Sequence, residues 1–90
     1  MKQDTKRKVI RRLRIIEGQI RGLQNMIEHD AYCIHILHQS AAVKEALSGV
    51  EDLVLEKHLK THVVDQVKRG KEEKAINEIL TIYKLSRKKI

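Results

Sequence analysis

Apolar residues at Ile10, Leu13, Ile16, Ile20, Leu23 and Ile27 recur at spacings of three and four, which marks one face of a helix. They predict a first helix over about residues 5–28. Arg7, Arg11, Arg14 and Arg21 run as a parallel stripe on another face, so this helix has one side for burial and one for charge. The pattern breaks at "EHDAYC". Asp30 there suits an N-cap, because its carboxylate can accept from the free backbone N–H groups of the next turn. A second helix is therefore predicted from about Ala31 to Arg69, with an apolar seam at Ile36, Val43, Leu47, Val50 and Val54 and Ser40 set into it. Lys68, Arg69 and Gly70 read as its end: cations on the negative pole, then a residue that tolerates positive φ. A third helix is predicted over about 72–89, with Ile76, Ile79, Leu80 and Tyr83 on one side and Arg87, Lys88 and Lys89 at its negative end. Sustained period-2 alternation, the mark of a strand, is absent.

A central helix of that length is far longer than a 90-residue monomer can cover, so it must pack against a partner chain. The predicted architecture is all-α: a three-helix protomer with a long central helix, completed as an antiparallel bundle by oligomerisation. Residues 1–90 read as a single domain, with no internal repeat and no linker.

Composition agrees. Charged residues make up 34% of the chain, there is no Pro, Trp or Phe, and Gly occurs four times, a helical, coiled-coil-like balance. The net charge of +7 is unevenly placed. Residues 1–22 carry eight Lys and Arg against two acids, residues 23–69 five against seven, and residues 70–90 six against three. A basic first helix on a nearly neutral body is an electrostatic footprint for a polyanion, and its arginines offer planar donor forks suited to phosphate. A solvated lysine-rich face is the plainer reading of the same charge. No apolar run exceeds four residues, so no membrane span is expected. "MKQDTKRKVI" lacks the apolar core of a signal peptide. One cysteine excludes an intrachain disulfide framework and suits a reducing cytosol; the expected location is cytoplasmic.

With Asp30 as N-cap, that cysteine, Cys33, falls at the third position of the second helix, where the dipole and unpaired N–H groups suit the thiolate a soft metal requires. A lone cysteine also serves commonly as a small buried hydrophobe. His58 and His62 are four residues apart, so both imidazoles project from one side of a helix and can reach one ion. Cys plus two His is a three-ligand set fit for Cu(I), Zn(II), Ni(II) or Co(II). Cys33 and His58 are 25 residues apart, about 37 Å along one straight helix. They can meet only if two such helices pair antiparallel, which makes the candidate site an intersubunit one. His35 and His38 point to other sides and read as surface or interface, and His29 as a solvated turn residue. An enzyme would need an oxyanion site and a substrate pocket, and no Gly-rich loop builds either.

The segments "RLRIIEGQIRGL" and "DAYC", with "LEKHLKTHVV" downstream, resemble the CsoR/RcnR family of bacterial repressors over nearly the whole chain. These sense copper, nickel or cobalt and, in one branch, formaldehyde. The resemblance implies a flat dimer-of-dimers tetramer without a helix-turn-helix, bound to operator DNA when metal-free and released when the sensor site fills. It implies Cys33 as thiolate ligand, His58 as histidine ligand and His62 as the next ligand, a position that is cysteine in most copper sensors of this kind. It implies Tyr32 and Glu78 as partners of the ligand histidine, and Arg12 as a DNA-binding position, with Lys6, Arg7, Lys8, Arg11 and Arg14 thickening the same patch. The N-terminal histidine of the nickel and cobalt branch is missing from "MKQDTKRK", and three ligands without a fourth suit Cu(I). The reading is a Cu(I)-responsive repressor, with a nickel, cobalt or zinc sensor, or a formaldehyde sensor using Cys33, as alternatives.

Overall fold

The computed structural model describes residues 2–86; the predicted end of the last helix at Arg87, Lys88 and Lys89 lies outside the described residues. Helix α1 spans Gln3–Glu28 and α2 spans Cys33–His58. A π-helical turn at Leu59–Val63 leads into the short α3, Val64–Lys68, and α4 covers Glu72–Ser86. Every residue from Cys33 to Lys68 is helical, the long central helix of the prediction with a π turn set into it. The chain forms two compact units divided between Glu56 and Lys57.

In the N-terminal unit, α1 and α2 meet through Val9, Ile16 and Val50, with Val43, Ala46, Leu47 and Leu53 packed against them. The buried face of α1 is thus narrower than predicted and turned to one side. Ile16 and the half-buried Leu23 face inward, whereas Ile10, Leu13, Ile20 and Ile27 are exposed and Val9 is buried instead. Ile16 and Leu23 belong to the predicted stripe and Val9 lies seven residues before Ile16, so periodicity alone does not say which of these positions α2 covers. Ile16, 4% exposed, is central. Ile16→Ala is expected to lower the unfolding free energy by about 2–4 kcal/mol, read as a reduced urea midpoint at constant slope. A loss below about 0.5 kcal/mol, the size of an ordinary surface substitution, would show that this contact does not form the core in solution.

Asp30 does not cap α2. It has φ +53, and its amide and that of Ala31 turn back onto the carbonyls of Ile27 and Met26 at 3.2 and 2.9 Å, which is the Schellman closure of α1. Aspartate is among the few L-residues that visit this left-handed region routinely. The carbonyl of Tyr32 then accepts from the amides of His35 and Ile36, so α2 begins at Cys33. Gly70, φ +73, ends α3 in the same way, with Lys71 N–H on Gln66 C=O at 2.7 Å, as the Lys-Arg-Gly signal predicts.

Among the described residues of the C-terminal unit Ala75 is buried, while Ile76, Ile79, Leu80 and Tyr83 are exposed. The predicted apolar side of the last helix therefore lies open in the single chain. No helix among the described residues is long and apolar enough to cross a membrane.

Candidate metal centre

His58 closes α2 and His62 lies within the π turn. The Thr61 hydroxyl donates to the Lys57 carbonyl at 2.7 Å, a back-bond of the kind that disturbs regular helix. π turns are rare and concentrate at functional sites. Here the turn carries the two imidazoles side by side. Their Nδ1 atoms are 3.3 Å apart, with ring centroids at 5.2 Å and planes at 75°.

The other nitrogen of His58 is engaged. Its Nε2–H donates to Oε2 of Glu78, on α4, at 3.0 Å. With the proton held at Nε2, Nδ1 of a neutral imidazole is a bare lone pair. Metal-binding histidines are commonly oriented in this way, one nitrogen on a carboxylate and the other on the ion. The donor pair fits an ion by distance. Metal–nitrogen bonds of about 2.0–2.1 Å to two atoms at this separation subtend roughly 105–110°, a tetrahedral value. Without an ion, an Nδ1–H on His62 can donate to the His58 lone pair across the same 3.3 Å.

Gln66 adds a contact that the sequence reading passes over. Its Nε2 lies 3.5 Å from each Glu78 oxygen, while its own Oε1 is buried with no hydrogen-bond partner among the described residues. One more step of four from His58 and His62 leads to position 66, which is the signal that could have found it.

The remaining predicted residues belong to the N-terminal unit. Cys33 is the first residue of α2, not the third, and its side chain is exposed. The Tyr32 ring, also exposed, meets His35 edge-on at 5.9 Å and 73°. His29 Nδ1 pairs with the Asn25 carbonyl at 2.9 Å near the end of α1. Within one chain, no three His, Cys, Asp or Glu side chains among the described residues converge on a metal position. The structure thus brings together His58, His62 and Glu78.

On α1, Lys6, Arg7, Lys8, Arg11, Arg12 and Arg14 are all exposed. At about 100° per residue, Arg7, Arg11, Arg14 and Arg21 fall within an arc of roughly 80° opposite the buried Val9 and Ile16. Arg12 sits apart from that stripe. It shares an open groove of about 410 Å³ with Ile15, Ile16, Ala46 and Glu45, and a Cβ added at Gly49 would come within 3.5 Å of its guanidinium.

The described residues thus hold a paired histidine donor set in one unit and an exposed cationic stripe in the other. Residues 5–84 match the model of the metal-sensitive transcriptional repressor family, and the chain belongs to that family. It is therefore a regulator of transcription and not an enzyme. It is 46% identical over 79 residues to the copper-sensing transcriptional repressor CsoR of Bacillus subtilis (strain 168), covering 88% of this chain and 78% of the relative. To CsoR of Mycobacterium ulcerans (strain Agy99) it is 32% identical over 83 residues, covering 92% of this chain and 71% of the relative. The copper-sensing repressor CsoR with Cu(I) from Geobacillus thermodenitrificans NG80-2 superposes with a TM-score of 0.91 at 34% identity, covering 98% of this chain and 92% of that one.

Proposed function

We propose that the protein is a copper-responsive repressor that holds operator DNA when metal-free and releases it when Cu(I) binds. Cys33 of one protomer supplies a thiolate, and His58 and His62 of its neighbour supply two nitrogens. The observation that carries this reading is the His58–His62 pair, with Nδ1 atoms 3.3 Å apart and the far nitrogen of His58 on Glu78. A thiolate with two imidazoles is a soft-to-borderline set suited to Cu(I), and the relatives named above are copper-sensing repressors. The pair supplies two nitrogens, and in this reading a thiolate from a second chain completes the set. Antiparallel pairing of two long helices brings it there, and the site then reports on how the chains are assembled.

In this reading residues 1–90 act as one regulatory domain, assembled as a homodimer and then as a dimer-of-dimers tetramer in the cytoplasm. Tyr32 joins Glu78 around the ligand histidine. Operator DNA is held through Lys6, Arg7, Lys8, Arg11, Arg12 and Arg14, mainly at phosphates.

The test is fluorescence anisotropy of the protein on its own upstream DNA in anaerobic buffer, with Cu(I), Ni(II), Co(II) and Zn(II) titrated in parallel. Release by Cu(I) at the lowest free concentration is the expected result. Release by Ni(II) or Co(II) alone would move the protein to a nickel or cobalt sensor. A response to formaldehyde and to no metal would reassign Cys33 as a reactive thiol.

A further inference from the structure

The His58–Glu78 contact needs a carboxylate that stays where it is, and glutamate has three rotatable side-chain bonds. Glu78 is only partly buried, with its side chain 36% exposed, so burial alone does not hold it. The group set against it from α3 is the Gln66 amide, whose Nε2 is equidistant, at 3.5 Å, from Oε1 and Oε2. Oε2 therefore receives hydrogen from two sides, His58 Nε2–H at 3.0 Å and the Gln66 amide. The sense of that amide is fixed by charge. Turned over, its oxygen would face a carboxylate and two acceptors would oppose each other. It keeps the N–H side toward Glu78 even though its Oε1 is then buried without a partner among the described residues. A residue that merely filled space would not favour such an arrangement over an apolar side chain.

We infer that Gln66 is a positioning residue of the metal centre: its amide holds the Glu78 carboxylate on His58 Nε2, and so fixes the tautomer that leaves His58 Nδ1 bare beside His62. His58, His62 and Gln66 then form one row at steps of four, and Glu78 clasps its two ends. Gln66 acts through Glu78 and does not itself touch the ion. Its effect on metal binding rests on the proposed role of His58 as a ligand. Its effect on the tautomer does not, which allows the two ideas to fail separately.

The experiment is long-range ¹H–¹⁵N correlation of the histidine rings in the metal-free, full-length protein, above the histidine titration range. The wild type should show His58 protonated at Nε2 and bare at Nδ1. Gln66→Met, of similar length but without a donor, should average the two nitrogen shifts of His58. Its Cu(I) affinity, by competition with a chromophoric chelator, should fall about tenfold, the lower end of what loss of an outer hydrogen-bond partner causes. Gln66→Lys, which restores a donor of similar reach, should recover the wild-type ring spectrum. A proton found on Nδ1 of wild-type His58 overturns the inference without any variant. So does a Gln66→Met protein whose His58 keeps the wild-type tautomer. Cu(I) release that survives in His58→Ala would remove the ligand reading and leave the ring measurement to decide on Gln66.

Discussion

Cys33→Ala is expected to bind operator DNA as the wild type does and to lose its release by Cu(I). The two halves of this result come from different parts of the chain. Cys33 is exposed at the start of α2 and lies outside the Val9, Ile16 and Val50 core, so its truncation leaves that core and the basic face of α1 intact. It also supplies the sulfur of the proposed ligand set. Two imidazoles remain in the variant, but they are borderline donors, and a Cu(I) site built on them alone loses the soft ligand that favours it. Coupling between an effector site and a second ligand typically amounts to about 1–3 kcal/mol, or roughly 5- to 150-fold in affinity. That whole factor should vanish from the DNA titration. If Cu(I) still released Cys33→Ala from DNA, the ion would have to sit on donors other than those proposed.

Operator affinity of the metal-free protein is expected to fall about a thousandfold or more between roughly 50 and 200 mM monovalent salt. Residues 1–22 carry eight cations against two acids, and Arg7, Arg11, Arg14 and Arg21 lie exposed, opposite the core. Each phosphate neutralised releases counterions, with a slope of about −0.9 per contact in log affinity against log salt. Contacts from the six basic positions named on one α1 would give a slope near −5. Replacing Arg11 and Arg14 together by glutamine should flatten it by about two, with little effect on stability because neither side chain is buried. A shallow slope, or one indifferent to that pair, would place the DNA on another surface. Arg12 lies in the groove against α2, so its removal also tests whether that side of α1 touches the operator.

Much of this was legible in the residues. The three-and-four spacing located α1, α2 and α4, and the Lys-Arg-Gly signal gave the helix end at Gly70. The His58–His62 pair followed from its spacing alone, and Glu78 from the family resemblance. What escaped has physical reasons. Aspartate favours the N-cap position and also visits the left-handed region that closes a helix, so residue type alone points Asp30 toward α2, whereas it closes α1 and leaves Cys33 as the first helical residue. Spacing on α1 does not say which apolar positions α2 covers, and contact with α2 takes in Val9 and leaves Ile10 exposed. The π turn leaves no compositional trace. Gln66 was invisible because an amide gains a role only when a carboxylate from another helix comes against it. The length of the central helix signals a second chain, and the proposed place of Cys33 beside the histidine pair rests on that chain.

The π turn at Leu59–Val63 also bears on how such a chain can change in length. A π turn takes in about one residue more than an α-helical turn. The residues after it therefore keep nearly the facing they would have in a plain α-helix one residue shorter. A descendant lacking one residue between 59 and 63 would run straight through as α-helix and still present its counterpart of Gln66 to α4. The same deletion made in the regular helix upstream would rotate everything beyond it by about 100°. Loss of one residue, usually harmless only in loops, thus leaves the facing of everything beyond this turn nearly unchanged, while a loss between His58 and His62 alters the spacing of the pair itself.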